Sequence, residues 1–116
     1  RRLSISEKRR DRNELEITQQ QLPSPVVLRV AGSVDSNTAP ELQAALLRAT
    51  EVPAGGVELD LAKVSFMSSA GLRALLLASK ALQKRGERLR LSNVAPQIYN
   101  VLNLSGFTSF IDVTKA

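Results

Sequence analysis

Val64-Ser65-Phe66-Met67-Ser68-Ser69-Ala70-Gly71-Leu72-Arg73 stands between two patterns of different period. Before it, Val57-Glu58-Leu59-Asp60-Leu61 alternates apolar and polar, the period of a half-buried strand. After it, Leu72, Leu75, Leu76, Ser79 and Leu82 recur at three- and four-residue steps, the period of one helix face. The two serines therefore sit where a strand hands over to a helix, predicted from about Ser69 to Lys84. A helix N-terminus carries N–H groups with no intrahelical partner, and a small hydroxyl side chain accepts from them. Ala70 and Gly71 keep the turn small, so a second molecule has room to approach the hydroxyls. On these residues alone two readings of the serines stay open: a helix cap, or a group at which chemistry happens.

Outward from this stretch, strands and helices keep alternating. Val26-Val27-Leu28-Arg29-Val30-Ala31-Gly32 is an apolar, β-branched run and reads as a central strand. Residues 13–20, with Leu15 and Ile17 in alternation, read as an edge strand. Pro23-Ser24-Pro25 turns between the two, which pair as an opening hairpin. Asp35, Ser36, Asn37 and Thr38 are all good caps, and Ala39-Pro40-Glu41 starts a helix with proline in its first turn. Leu42, Ala45, Leu46 and Ala49 form its apolar stripe, and it ends near Thr50, before Pro53 and Gly55-Gly56. Gly86 ends the second helix. Leu89 to Val94 alternates like a strand, and Ala95-Pro96 opens a short helix carrying Ile98, Val101, Leu102 and Leu104. Phe107 to Val113 closes the chain as a last strand. The order β-β-α-β-α-β-α-β implies a single α/β domain whose sheet is mixed and mostly parallel. Asp35, taken as an isolated aspartate, reads as a turn or capping carboxylate.

Composition excludes more than it assigns. The 116 residues hold no cysteine and no histidine. Disulfides and thiolate chemistry are ruled out, and the absence of cysteine suits a reducing, cytoplasmic setting. The usual neutral-pH base and the commonest metal ligand are missing. A serine nucleophile would need a lysine as its base, and no lysine falls within helical reach of Ser69. No nucleophile elbow, phosphate-binding glycine loop or dinucleotide fingerprint occurs, and the acidic residues are scattered singly. These residues argue against an enzyme and against any metal or cofactor. No apolar run approaches the roughly 20 residues of a membrane span, and no signal-peptide pattern opens the chain. It begins on Arg1, which reads as a fragment or a processed product.

The net charge of +5 is unevenly placed. Residues 1–12 carry six basic side chains against two acidic ones; residues 13–116 carry ten against nine. The basicity thus belongs to an N-terminal tail over 1–12, and residues 13–116 form a nearly neutral domain. Four aromatic residues, Phe66, Tyr99, Phe107 and Phe110, make no base-stacking platform, so nucleic acid is not an expected partner.

Phe66-Met67-Ser68-Ser69-Ala70-Gly71-Leu72 resembles the signature of the anti-sigma factor antagonists, the bacterial STAS domains. That loop reads aspartate, serine, serine or threonine, glycine, leucine. The family aspartate falls on Ser68, the phosphorylated serine on Ser69, and Gly71 and Leu72 match. Gly32-Ser33-Val34-Asp35-Ser36-Asn37-Thr38-Ala39 resembles the family's early glycine–aspartate–threonine-alanine loop, and Ser105-Gly106-Phe107 its late turn. The resemblance covers about residues 13–116 and implies the STAS fold.

The function it implies is partner switching. An anti-sigma factor that is also a serine kinase would bind the unphosphorylated domain, and phosphorylation of Ser69 (second choice Ser68) would release it. A metal-dependent serine phosphatase would reset the switch. The implied contact surface comprises Asp35, Ser36, Thr38, Ser68, Ala70, Gly71 and Arg73. The alternative is a scaffold STAS module, a transporter subunit or stressosome-like component, in which Ser69 is only a helix cap. A weak homodimer stays open in either case.

Overall fold

The computed structural model describes residues 2–4, 15–21, 25–51 and 55–116. Among the described residues six strands form one sheet in the order of the chain. β1 (Arg2–Ser4) pairs antiparallel with β2 (Glu16–Gln21), and β2 antiparallel with β3 (Val26–Val34). β4 (Val57–Met67), β5 (Leu89–Val94) and β6 (Asp112–Lys115) then add in parallel. Each parallel step passes through a helix: α1 (Ala39–Thr50), α2 (Ser69–Gln83) and α3 (Pro96–Leu104). From β2 onward this is the expected β-β-α-β-α-β-α-β order in a mixed sheet. Most of the basic segment over 1–12 lies outside the described residues; the part described, Arg2–Ser4, extends the sheet past β2. An edge strand offers unpaired N–H and C=O groups, and a neighbouring segment satisfies them.

The crossovers all step the same way along the sheet, and their right-handedness lays the helices on one face. The strands divide to match. Leu15, Ile17, Val26, Leu28, Val30, Val57, Leu59, Leu61, Leu89 and Leu91 are buried toward the helices. The other face is polar, with opposite charges set across neighbouring strands: Arg29 opposite Asp60 at 3.6 Å, Glu58 opposite Arg90, Arg90 opposite Asp112. Such part-exposed pairs contribute less than about 1 kcal/mol each. The α1 stripe is buried as expected, with Leu42, Ala45, Leu46 and Ala49 inside. On α2 the buried face is centred on Gly71, Ala74, Leu75, Ala78, Ser79 and Leu82; Leu72 and Leu76 lie half-buried on its flank. Small residues carry that face, and hydropathy alone underweights them. The Arg85 guanidinium donates to the Thr50 carbonyl and pairs with Glu87 at 2.7 Å, tying the end of α2 to the end of α1.

Three expectations are corrected. β4 runs six residues past Leu61, to Met67. Its register against β3 shifts twice, between Arg29 and Ala31 and between Gly32 and Ser33. Each shift inserts an extra residue on β4, so alternation gives way to buried residues at every third position: Leu61, Val64, Met67. The expected last strand over 107–113 is instead a 3₁₀ turn at Phe107–Ser109, with β6 confined to Asp112–Lys115. Gly106 takes a left-handed φ of 82°, the Ile111 N–H donates to the Phe107 carbonyl at 3.0 Å, and the Phe107 and Phe110 rings lie 5.3 Å apart. The apolar residues there sit at 107, 110 and 111, a helical spacing and not an alternating one. On α3 only Ile98 and Leu102 are buried; Val101 is exposed and Leu104 is 86% exposed.

Candidate functional site

The two bulges decide where β4 ends. They carry Met67 level with Val34, and the Ser68 N–H donates to the Val34 carbonyl at 2.8 Å. The start of α2 is thereby fixed beside the loop that follows β3. Ser68 is the N-cap: its backbone is extended, and its hydroxyl accepts from the Gly71 N–H at 3.3 Å. Ser69 is the first helical residue. It is exposed, and its hydroxyl makes no hydrogen bond among the described residues. The reading of Ser69 as a mere cap is corrected here, because the capping hydroxyl belongs to Ser68.

Gly71 is buried. A Cβ at this position would lie 2.5 Å from Met67 Sδ and 2.6 Å from Val34 Cγ1. The absent side chain thus lets the first turn of α2 pack directly on the strand ends. Buried there, Gly71 supports the expected contact surface from beneath.

The early loop is held by its own side chains. Asp35 Oδ1 accepts from the N–H groups of Asn37 at 2.9 Å and Thr38 at 3.1 Å. The Thr38 hydroxyl donates to the Ser33 carbonyl at 2.8 Å and accepts from the Asp35 N–H at 2.9 Å. Thr38 is buried. The expected contact at Thr38 is therefore corrected to a structural role, and the turn reading of Asp35 holds. Ser36 sits at the crest, exposed.

Between the N-terminal ends of α1 and α2 lies a shallow cleft of about 240 Å³. Ser36, Ala39, Pro40 and Gln43 line one wall; Ser69, Ala70 and Arg73 line the other. Of the seven residues expected at the contact surface, Ser36, Ala70 and Arg73 meet here beside Ser69. Ala39, Pro40 and Gln43 were not foreseen, since no motif marks them and only the packing of α1 beside α2 brings them in. Phe66, the last residue but one of β4, is 51% exposed, a large apolar surface close to Ser69 in the chain. Its signal was available: an aromatic residue just ahead of the cap. A larger hollow of about 380 Å³ opens on the polar face of the sheet. There Arg29 faces Asp60, and Asp60 Oδ1 holds the β4 bulge through the Ala62 N–H at 3.0 Å and the Asn93 amide at 3.1 Å. Those charges are engaged in the fold. Among the described residues no cluster of metal-ligating side chains occurs, and no helix is long and apolar enough to cross a membrane.

The geometry can be set beside known proteins. The family model for the Mlab, STAS domain matches residues 17–112. The anti-sigma-B factor antagonist of Listeria monocytogenes is 30% identical over 112 residues, 96% of this chain and 88% of its own length. An anti-sigma factor antagonist from Mycobacterium paratuberculosis superposes with a TM-score of 0.79 at 22% identity, covering 88% of this chain and 86% of that one. The Bacillus cell fate determinant SpoIIAA in its phosphorylated form gives 0.67 at 22% identity, over 84% and 89%. The two structures establish likeness of fold; the family model and the Listeria relative, over nearly the whole chain, make this a STAS domain of the anti-sigma factor antagonist family.

Proposed function

We propose that this domain is a partner switch whose state is written on Ser69. Unphosphorylated, it binds an anti-sigma factor that is also a serine kinase, through the cleft that Ser36 lines on one side and Ser69, Ala70 and Arg73 on the other, and so frees a sigma factor. The observation that carries this reading is the division of labour between the serines. Ser68 spends its hydroxyl on the cap, while Ser69 presents a free hydroxyl on a fixed first turn. In the transfer step Ser69 Oγ attacks the γ-phosphorus of the kinase's ATP. The bond to the bridging oxygen breaks, ADP leaves, and the hydroxyl proton passes to a base of the kinase, since this chain has no histidine to take it. A metal-dependent phosphatase restores the hydroxyl by hydrolysis and releases inorganic phosphate.

The partner's release follows from charge. A phosphoserine adds about −1.5 to −2 charges. At the first turn of α2 that charge meets unpaired N–H groups and the positive end of the helix dipole, so the domain itself tolerates it. At a packed interface the same charge is desolvated, which costs several kcal/mol. Incubation with the cognate kinase and ATP, followed by mass-spectrometric mapping, tests the assignment. Phosphate on Ser69, lost in Ser69→Ala, is expected. Phosphate on Ser68, retained in full by Ser69→Ala, overturns it.

A further inference from the structure

We propose that Arg73 is an internal clamp for the phosphate on Ser69, closing over it within the cleft between α1 and α2. The inference rests on the reading of Ser69 as the modified residue and adds what that modification does to its own helix. Ser69 and Arg73 are four residues apart on α2, and such residues share a helix face with their Cβ atoms about 5–6 Å apart. Helical side chains lean toward the N-terminus, so a side chain at the later position covers the surface over the earlier one. Both residues line the same cleft, and among the described residues lining it Arg73 is the one charged side chain. Arg73 is exposed and enters no ion pair among the described residues; the first turn of α2 carries no acidic residue to compete for it, and Glu41, the acidic residue in the first turn of α1, is engaged in an interaction of its own. A guanidinium presents paired N–H donors in a planar fork, the geometry that grips two phosphate oxygens at once.

The clamp alters the switch. A phosphate on Ser69 adds nearly two negative charges to the surface and also removes one positive charge from it, because Arg73 turns from the partner to its own helix. Aspartate at position 69 is shorter, carries a single charge and lacks the third oxygen. It engages Arg73 poorly and imitates only the first half of the change.

The test uses the full chain with phosphoserine installed at position 69 during translation, so that no kinase is required. The phosphate's second ionisation, ordinarily near pH 6, is followed by phosphorus NMR in the wild type, Arg73→Gln and Arg73→Lys. The dianion is the form that Arg73 favours. The wild-type phosphate is expected to titrate about 0.3 unit or more below that of Arg73→Gln, with Arg73→Lys in between, since it keeps the charge and loses the fork. Melting of the unphosphorylated Arg73 variants within about 2 °C of wild type shows that the fold is not the cause. Identical titration in the wild type and Arg73→Gln overturns the clamp. A kinase that never modifies Ser69 would overturn the switch while leaving this measurement intact, so the two readings fail separately.

Discussion

The N–H of Ser68 donates to the carbonyl of Val34 at 2.8 Å, and through this bond the end of β4 is tied to the end of β3. Two loops about 33 residues apart in the chain become one surface, with Ser36 across a cleft from Ser69. The same junction packs Gly71 on Val34 and Met67. The cleft is a property of this junction more than of either loop, and perturbing the residues around it separates support from recognition.

Ser68→Ala removes the cap and leaves a first-turn N–H without its acceptor. The expected loss is about 1 kcal/mol, a fall in melting temperature of roughly 4 °C for a domain of this size. Ser69→Ala removes an exposed hydroxyl with no partner among the described residues and should change stability by less than about 0.5 kcal/mol. Thermal melts of the two variants side by side check this; equal losses would refute the division of labour.

Gly71→Ala places a methyl where 2.5–2.6 Å separates it from Met67 Sδ and Val34 Cγ1. Methionine can swing aside, but buried Val34 has no such freedom, so a cost of about 1–3 kcal/mol is expected. Adding Val34→Ala should recover part of it, a coupling readable in denaturant melts of the four-member cycle.

Asp35→Ala deletes the acceptor shared by the Asn37 and Thr38 N–H groups, at an expected cost of about 1–2 kcal/mol. Asp35→Asn keeps an oxygen in place and should lose less than half of that. If the two variants bind the kinase equally once both are folded, the carboxylate serves the turn alone; calorimetric titration decides.

Ser69→Asp should melt within a degree or two of the wild type and bind the kinase more weakly. Full phosphorylation should weaken binding about a thousandfold, equivalent to roughly 4 kcal/mol. Ser69→Ala, which adds no charge, should still bind. Titration calorimetry with parallel melting curves measures all three, and wild-type affinity in Ser69→Asp would contradict the charge mechanism.

A chain beginning at Asn13 lacks β1 and bares the β2 edge. Three paired residues contribute little, so melting is expected to fall by only a few degrees. The open edge should raise self-association, seen by light scattering at rising concentration. A large drop in melting would mean that the segment before residue 13 contributes more to the domain than the three paired residues of β1.

Local periodicity was enough for most of the fold. The α1 stripe, the alternation of β2, β3 and β5 and the junction at the two serines depend on side chains a few residues apart, and the chain carries that information directly. The family loop singled out Ser69 for the same reason: a motif is local. What lay beyond reach was whatever two distant segments settle together. Both serines suit a cap, and only the seating of β4 on Val34 selects Ser68. The bulges that carry β4 to Met67 are a mismatch between strands and leave no mark within either one. Gly71 reads as an open approach until Val34 and Met67 fill the space beneath it. Phe107 to Ile111 is a different case: its helical apolar spacing is a local signal masked by strand-forming residue types, and after a left-handed Gly106 it winds into a turn. The cleft itself exists because α1 and α2 lie side by side, an arrangement set by crossover handedness and packing and by no single run of residues.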